Sequence, residues 1–340
     1  MKKLLICLLS VLLLQSSLYA AEQTKAADKD AQKKENKKNG KSLFWEITNG
    51  KQEAYLFSYF KGRGDGLHFA YSFDGLIWKS VQNDKIFLKP QVGKEKLMRD
   101  PSIVQGPDGM FHMVWTSGWK ENNIGYAYSE DLIHWSEQQE IPVMAHEPNC
   151  QNCWAPELFY DKASKKFYII WATTIEGKYE AAPGNEDQYA HRLYYTTTKD
   201  FKSFAPTQLW YDPGFSVIDA CVLKEGVKYQ IFLKNENLNP VEKNIRMVTS
   251  RSLKKVPTIV SAPISGKEWA EGPSAIKIGK YTYVYWDLYR NHRYTGVRSK
   301  NPKKGQWEKL DDKIKFPAGM RHGTAFCVDE SVVYKLLETE

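Results

Sequence analysis

Five segments of this chain are laid out on one plan, and that repetition limits the fold more than any other feature. The plan begins at residues 98–104, where Asp100-Pro101 leads into Ser102, Ile103 and Val104. A Gly-Pro-Asp-Gly turn at 106–109 and a strand-like run at 111–117 follow. Proline is tolerated at the first residue of a strand, where no ladder donor is needed, so Asp100 is predicted at the strand mouth. The same sequence of events recurs at 154–160 before 167–173, at 215–223 before 229–233, and at 269–276 before 281–286. Residues 321–326 open a fifth copy. The steps from Asp100 to Glu157, Asp219, Glu271 and His322 are roughly 50 to 60 residues, near the upper end of propeller-blade periods.

Each copy continues with a second strand and an outer segment that is often marked by an aromatic. Residues 67–72 match 124–129, and Asp74 to Trp78 matches Asp131 to Trp135. The copy at 54–81 has no inner strand before it, and 322–328 is an inner strand with no blade behind it. Both defects vanish if the C-terminal strand completes the N-terminal blade, which gives an all-β, five-bladed β-propeller of four-stranded blades. Residues 329–337 read as a short helix capped by Asp329, with Val332, Val333, Leu336 and Leu337 on its packing face. The longest interruption within a blade, 175–190, has the length of a functional loop.

The N-terminus is of another kind. Residues 1–20 combine Lys2 and Lys3, an apolar run and a small-residue end at Ala20, the three-part pattern of a secretory signal. Residues 21–42 have too few apolar side chains to bury a core and read as a disordered polar linker. The propeller domain is predicted over 43–340, with ordered structure starting at 43–47. Residues 1–41 hold nine lysines against four acids, five of the eight units of surplus charge, so the remaining chain carries +3. So small a surplus does not fit a nucleic-acid binder. The expectation is an exported monomer, periplasmic or extracellular, with no membrane attachment after signal cleavage. Cys150 and Cys153 fit either a disulfide or two free thiols, and Cys221 and Cys327 read as small buried hydrophobes.

Inner strands line a propeller's channel, so matching positions on different blades converge. Asp100, Asp219 and Glu271 are thereby brought together, and crowded carboxylates cannot all ionise freely. Such a division into one protonated acid and one ionised partner is what glycoside hydrolysis uses. Asp100 also fits a turn cap before Pro101, and Glu271 a surface loop. Asp219, interrupting an apolar strand, is costly to bury without a purpose. Trp154, beside the channel mouth, suits stacking on a sugar face. Arg99 and Arg321 fit either substrate contacts or salt-bridged rim residues.

Asp-Pro, Trp-Ala-Pro, Ile-Asp, Glu-Gly-Pro and Arg-His-Gly, in this order on successive inner strands from about Leu43 to Val328, resemble family 43 of the glycoside hydrolases. The resemblance implies a five-bladed propeller that cleaves arabinose, xylose or galactose linkages with inversion. It implies that Asp100 is the general base, Glu271 the general acid and Asp219 the residue that raises and orients the acid. Trp154, Arg99, Glu157 and Arg321 become the substrate-binding candidates, with Glu157 standing where many members have Asp. His322 resembles the channel histidine that in many members faces a metal ion through water. That leaves room for a structural calcium or sodium ion, with no cofactor required.

The expected activity is an exo-acting α-L-arabinofuranosidase on plant polysaccharide side chains, with β-xylosidase and galactofuranosidase as alternatives. A retaining fructan-type propeller shares the Arg99-Asp100-Pro101 triplet, but an Asn-Asp-Pro-Asn strand should precede it and none does. A non-catalytic sugar-binding propeller would be expected to lack one of the three carboxylates, and all are present.

Overall fold

A computed structural model describes residues 52–181 and 189–338. The predicted signal at 1–20, the linker at 21–42 and the expected start of ordered structure at 43–47 lie outside the described residues, as does 182–188 of the long loop. The described residues form five antiparallel sheets. Blade 1 takes its inner strand from the C-terminus, Arg321–Asp329, and continues with Glu53–Phe60, His68–Ser72 and Lys79–Ser80. Blade 2 is Arg99–Gln105, Phe111–Thr116, Ile124–Ser129 and Gln139–Ile141, and blade 3 is Trp154–Asp161, Lys166–Thr173, Arg192–Thr198 and Gln208–Tyr211. Blade 4 has Val217–Glu225, Lys228–Asn235 and Asn244–Ser250; blade 5 has Glu271–Ile278, Tyr281–Leu288, Arg293–Ser299 and Glu308–Lys309. Closure is as expected: Glu53 pairs with Asp329, Leu56 with Phe326 and Ser58 with Thr324.

Blade 4 departs from the four-stranded plan. Its outer position is taken by a segment that bonds blade 4 intermittently, with Ser261 N donating to Met247 O and Ile264 N to Ile245 O. Pro263, which has no N–H, falls between these two donors and keeps the segment from forming a regular ladder.

The second strand of each blade shows why the ring closes. Its side chains alternate with period two, so each face meets a different neighbour. In blade 2, Met113 and Trp115 pack with Leu56 and Phe69 of blade 1, whereas Val114 packs with Ile169 and Trp171 of blade 3. Tyr168 and Ile170 of blade 3 meet Ile231 and Leu233 of blade 4. Phe232 of blade 4 meets Val284 and Trp286 of blade 5, and Tyr283 and Tyr285 return to Tyr55 and Phe57 of blade 1. Each junction between blades is thus its own apolar core, and no face of a middle strand is left without a partner.

The repeated Ser/Thr-x-Asp corners are turns with a mechanism. The Asp74 carboxylate accepts from the N–H of Leu76 and Ile77, Asp131 from Ile133 and His134, and Asp200 from Lys202 and Ser203. Trp78 and Trp135, read as structural, each donate their indole N–H back to that corner. The terminal helix spans Glu330–Glu338, with Asp329 accepting from Ser331 N at 3.0 Å. It buries Val333 and Leu336, but Leu337 faces solvent, outside the expected packing face. Cys150 and Cys153 are free thiols, the first donating to Asn152 O at 3.5 Å and the second accepting from Thr173 Oγ1 at 3.9 Å. Cys221 is buried as expected, whereas Cys327, near the end of the closing strand, is exposed.

Candidate active site

Every inner strand slips register near its start. The slip falls between Arg99 and Ser102, Trp154 and Glu157, Ile218 and Cys221, and Glu271 and Ser274, and blade 1 has its own between Ser58 and Phe60 opposite Thr324 and Arg321. A β-bulge of this kind re-aims the side chains at a strand mouth. Asp100, Ala155, Asp219 and Gly272, the second residue of each slip in blades 2 to 5, all have positive φ, between 47° and 60°. Left-handed backbone at non-glycine residues costs roughly 1–3 kcal/mol and persists where the surroundings over-determine it.

The bulges correct the alignment expected from spacing alone. Asp100, Asp219 and His322 occupy one register position, shared with Ala155 and Gly272. Glu271 belongs one residue earlier, with Arg99, Trp154, Ile218 and Arg321. Glu157 belongs two residues later than Asp100, with Ser102, Cys221, Ser274 and Thr324. At this last position the side chains bridge blades: Leu158 N donates to Ser102 Oγ, Val222 N to Glu157 Oε1, Ala275 N to Cys221 Sγ and Ala325 N to Ser274 Oγ. Glu157 also accepts the Ser102 hydroxyl at 3.0 Å, so both its oxygens are engaged within the ring of blades. Burial, opposed by those hydrogen bonds, pushes its pKa up to about 7.

The three carboxylates and the histidine form one cluster. His322 Nδ1 lies 3.2 Å from Asp100 Oδ1, and Thr116 Oγ1 donates to Asp100 Oδ2 at 2.9 Å. Burial works to raise the Asp100 pKa, but the His322 charge and hydrogen bond, with Arg99 and Thr116, bring it down to about 2. Burial disfavours the imidazolium of His322, and the charges of Asp219 and Asp100 overcome it, raising its pKa to about 9. Asp219 is pushed up to about 6, chiefly by burial and further by Glu271 and Asp100, against His322 and Lys234. Its Oδ2 accepts from Gly272 N at 2.9 Å, so it holds the peptide that carries Glu271.

Glu271 is clamped between cations. Lys234 Nζ is 3.2 Å from Oε2 and Arg321 Nη2 donates to Oε1 at 3.0 Å. Burial raises its pKa, and Lys234, Arg321, Arg99 and His322 together more than reverse that, so it is held below the usual carboxylate range. Asp100 and Glu271 are therefore both ionised at rest, and of these three carboxyls Asp219 is the one that carries a proton most readily.

Two members of the cluster were not singled out from sequence. Lys234 is buried between Glu236, at 2.7 Å, and Glu271, and lies over the Tyr289 ring. Asp287 takes Arg321 Nε at 2.5 Å and is pushed up to about 6 by burial and by Glu271. Each interrupts an apolar strand run, the same signal that marked Asp219.

Of the remaining candidates, Arg321 is a salt-bridged residue of the cluster, whereas Arg99 makes no direct ion pair among the described residues and acts on Asp100 and Glu271 only through its charge. The Arg99 guanidinium lies 4.5 Å from the ring centroids of both Phe60 and Trp119. Trp154 is half-buried, meets Trp119, Tyr189 and His191 edge-on or tilted, and donates its indole N–H to Trp119 O. The donors do not suit direct metal ligation. His322 holds a proton between two carboxylates, and no group of three or more His, Cys, Asp or Glu fit to hold a metal ion occurs among the described residues. No helix among the described residues is long and apolar enough to cross a membrane.

Comparison with known proteins bears on this cluster. Residues 50–331 match the model of a family described as a probable glycosyl hydrolase domain, related to glycoside hydrolase family 43. The α-L-arabinofuranosidase of Bifidobacterium longum subsp. longum is 25% identical over 160 residues, 41% of this chain but 15% of that protein. Among solved structures, a thermostable family-43 glycoside hydrolase matches with a TM-score of 0.51 and 17% identity over 66% of this chain and 78% of its own, which shows the shared fold. Inversion at the anomeric carbon is characteristic of the family. The chain spans about a seventh of the length of that curated relative, and it belongs to the family 43-related glycosyl hydrolases.

Proposed function

We propose that this protein is an exported, exo-acting α-L-arabinofuranosidase that trims plant polysaccharide side chains with inversion. The observation that carries the mechanism is the convergence of Asp100, Asp219, Glu271 and His322 in one cluster, with the two outer carboxylates in different charge environments. The choice of sugar is supported by the partial likeness to an α-L-arabinofuranosidase.

Asp100, ionised and oriented by His322 and Thr116, takes a proton from water as the water oxygen bonds to the anomeric carbon. Glu271 gives a proton to the glycosidic oxygen as its bond to that carbon breaks, so the leaving sugar departs as a neutral alcohol. Acid catalysis by Glu271 requires that it be protonated against Lys234 and Arg321. Sugar hydroxyls that compete for those two cations loosen the clamp, and Asp219, tied to the Gly272 peptide, is the adjacent group with a raised pKa. Inverting enzymes hold their carboxyl groups roughly 6.5–9.5 Å apart to leave room for water.

The test is a panel of aryl α-L-arabinofuranosides, β-xylosides and galactofuranosides, followed by proton NMR of the first-formed anomer. Cleavage of the arabinofuranoside with inversion is expected. Preference for another sugar refutes the substrate assignment, and retention refutes Asp100 as the base.

A further inference from the structure

Beside the Arg99 face of the cluster lies a cavity of about 440 Å³, lined among others by Arg63, Asp65, Glu95, Lys96 and Trp119. That size is within the range of small-ligand sites, roughly 300–1,000 Å³. Its link to the catalytic cluster is Trp119, whose ring is in the cavity wall and also covers the Arg99 guanidinium. Gly64 makes the second link, since a Cβ there would stand 3.1 Å from Arg99 Cγ. The stem of Arg99 thus packs on the cavity's edge while its head is held between two rings, one residue before Asp100.

The charges around the cavity are unequal in their freedom. Asp65 is occupied through both oxygens, accepting from Lys61 N at 2.9 Å and pairing with His68 at 3.1 Å. Glu95 accepts from Trp119 N at 2.7 Å. Arg63, Lys96 and Arg99 make no side-chain hydrogen bond or direct ion pair among the described residues, although the Arg99 charge acts on Asp100 and Glu271 from a distance. The free hydrogen-bonding capacity here is mostly cationic, three cations against the second oxygen of Glu95, and one cation is a guanidinium already fixed in place, which lowers the entropic cost of a two-pronged bond to an anionic group. Trp119 is 42% exposed and offers an apolar face for a sugar ring.

We propose that this cavity is the subsite for the leaving-group sugar and that it takes an acidic residue, one bearing a carboxylate or a sulfate. This rests on the glycosidase reading above and adds the chemical class of the aglycone. Trp119 supports the ring, and Arg99, Arg63 and Lys96 take the acid group, leaving the glycosidic oxygen toward Asp100 and Glu271.

The experiment compares disaccharides in which the released sugar, chosen by the aryl glycoside panel, is joined to a hexuronate, a sulfated hexose or the neutral hexose. At low salt, kcat/KM for an acidic form should exceed the neutral one by about tenfold or more, as expected for charge-assisted hydrogen bonds. High salt should shrink the ratio. In the Arg63→Met, Lys96→Met double variant the ratio should fall toward one, through KM rather than kcat. Which acid is preferred identifies its source, carboxylate or sulfate. Equal rates on all three, or a ratio untouched in the double variant, overturns the proposal while aryl glycoside cleavage still vouches for the chemistry. If no aryl glycoside is cleaved, the glycosidase reading has failed separately. NMR titration with a hexuronate methyl glycoside against its neutral counterpart then reads the subsite alone: acid-selective shifts at Trp119 support it, and their absence overturns it.

Discussion

Gly272 and Gly226 have the same backbone angle, φ +60°, and opposite surroundings, which makes them a matched pair for testing how the cluster is held. A Cβ at Gly226 would have nothing within 4 Å, whereas one at Gly272 would stand 2.3 Å from His322 Cγ and 2.5 Å from Cδ2. Gly226→Ala therefore pays only for left-handed backbone, about 1–2 kcal/mol. Gly272→Ala pays that and must also drive the imidazole back by about 1 Å to reach ordinary carbon contact near 3.5 Å. Overpacking of this kind adds about 1–3 kcal/mol, for a total of about 2–5 kcal/mol. The displaced His322 can no longer hold Asp100 as it does at 3.2 Å, and a misplacement near 1 Å costs about a hundredfold in rate. Denaturant melts and kcat on an aryl glycoside read the two effects. The reasoning fails if Gly272→Ala costs no more stability than Gly226→Ala and keeps its rate within about threefold, far from the loss that misplacement implies.

Glu271→Gln should abolish cleavage of substrates with poor leaving groups and spare activated aryl glycosides more, while Asp100→Asn should damage both, because water must be activated whatever departs; equal leaving-group dependence in the two variants would contradict the assignment. Asp219 and Glu157 have folded pKa values raised to about 6 and about 7, so the stability they contribute is full below the unfolded carboxylate range and is lost as pH rises through those values. His322, raised to about 9, adds stability that is full below the ordinary histidine value and lost as pH rises through 9. Denaturant midpoints should accordingly fall from pH 5 to pH 9, and Glu157→Gln should flatten the acid part of that decline; a midpoint that rises over this range would refute it. Deleting the chain from Met320 onward removes the strand that pairs with Glu53–Phe60, so the product should aggregate or melt far lower, and a soluble truncation with unchanged melting would refute closure by that strand.

The repeat was readable because each blade must present alternating apolar faces to two neighbours, and that alternation leaves its trace in runs such as 111–116 and 281–286. Asp100, Asp219, Glu271 and His322 could be found for the same reason, being polar residues where the pattern demands otherwise. Register could not be read, because a bulge adds a residue to one strand without changing the composition around it. Glu157 and Glu271 were thus given the same level as Asp100, although they stand two residues later and one residue earlier. Lys234 and Asp287 were within reach, since each breaks an apolar run, but they follow no repeated motif and drew no notice. The missing outer strand of blade 4 went against the expected four-stranded plan; its one trace in the sequence is the lack of an aromatic in the segment that follows Ser250. What spacing could not supply was the sign of each carboxyl's shift, which depends on cations, Lys234 above all, brought from distant parts of the chain.

The pairing of Glu53 with Asp329 joins positions nearly the whole described chain apart. Bringing such ends together costs about 5 kcal/mol in chain entropy beyond a constant term, and nothing local offsets it until the contact is made. His322, which anchors Asp100, is on the strand that makes it. During synthesis blades 2 to 5 can therefore be complete while the cluster still lacks Arg321 and His322, which arrive with the strand Arg321–Asp329. The order of events makes the cluster a reporter of ring closure: the Asp100–His322 contact cannot exist in a chain whose first and last blade-1 strands are unpaired.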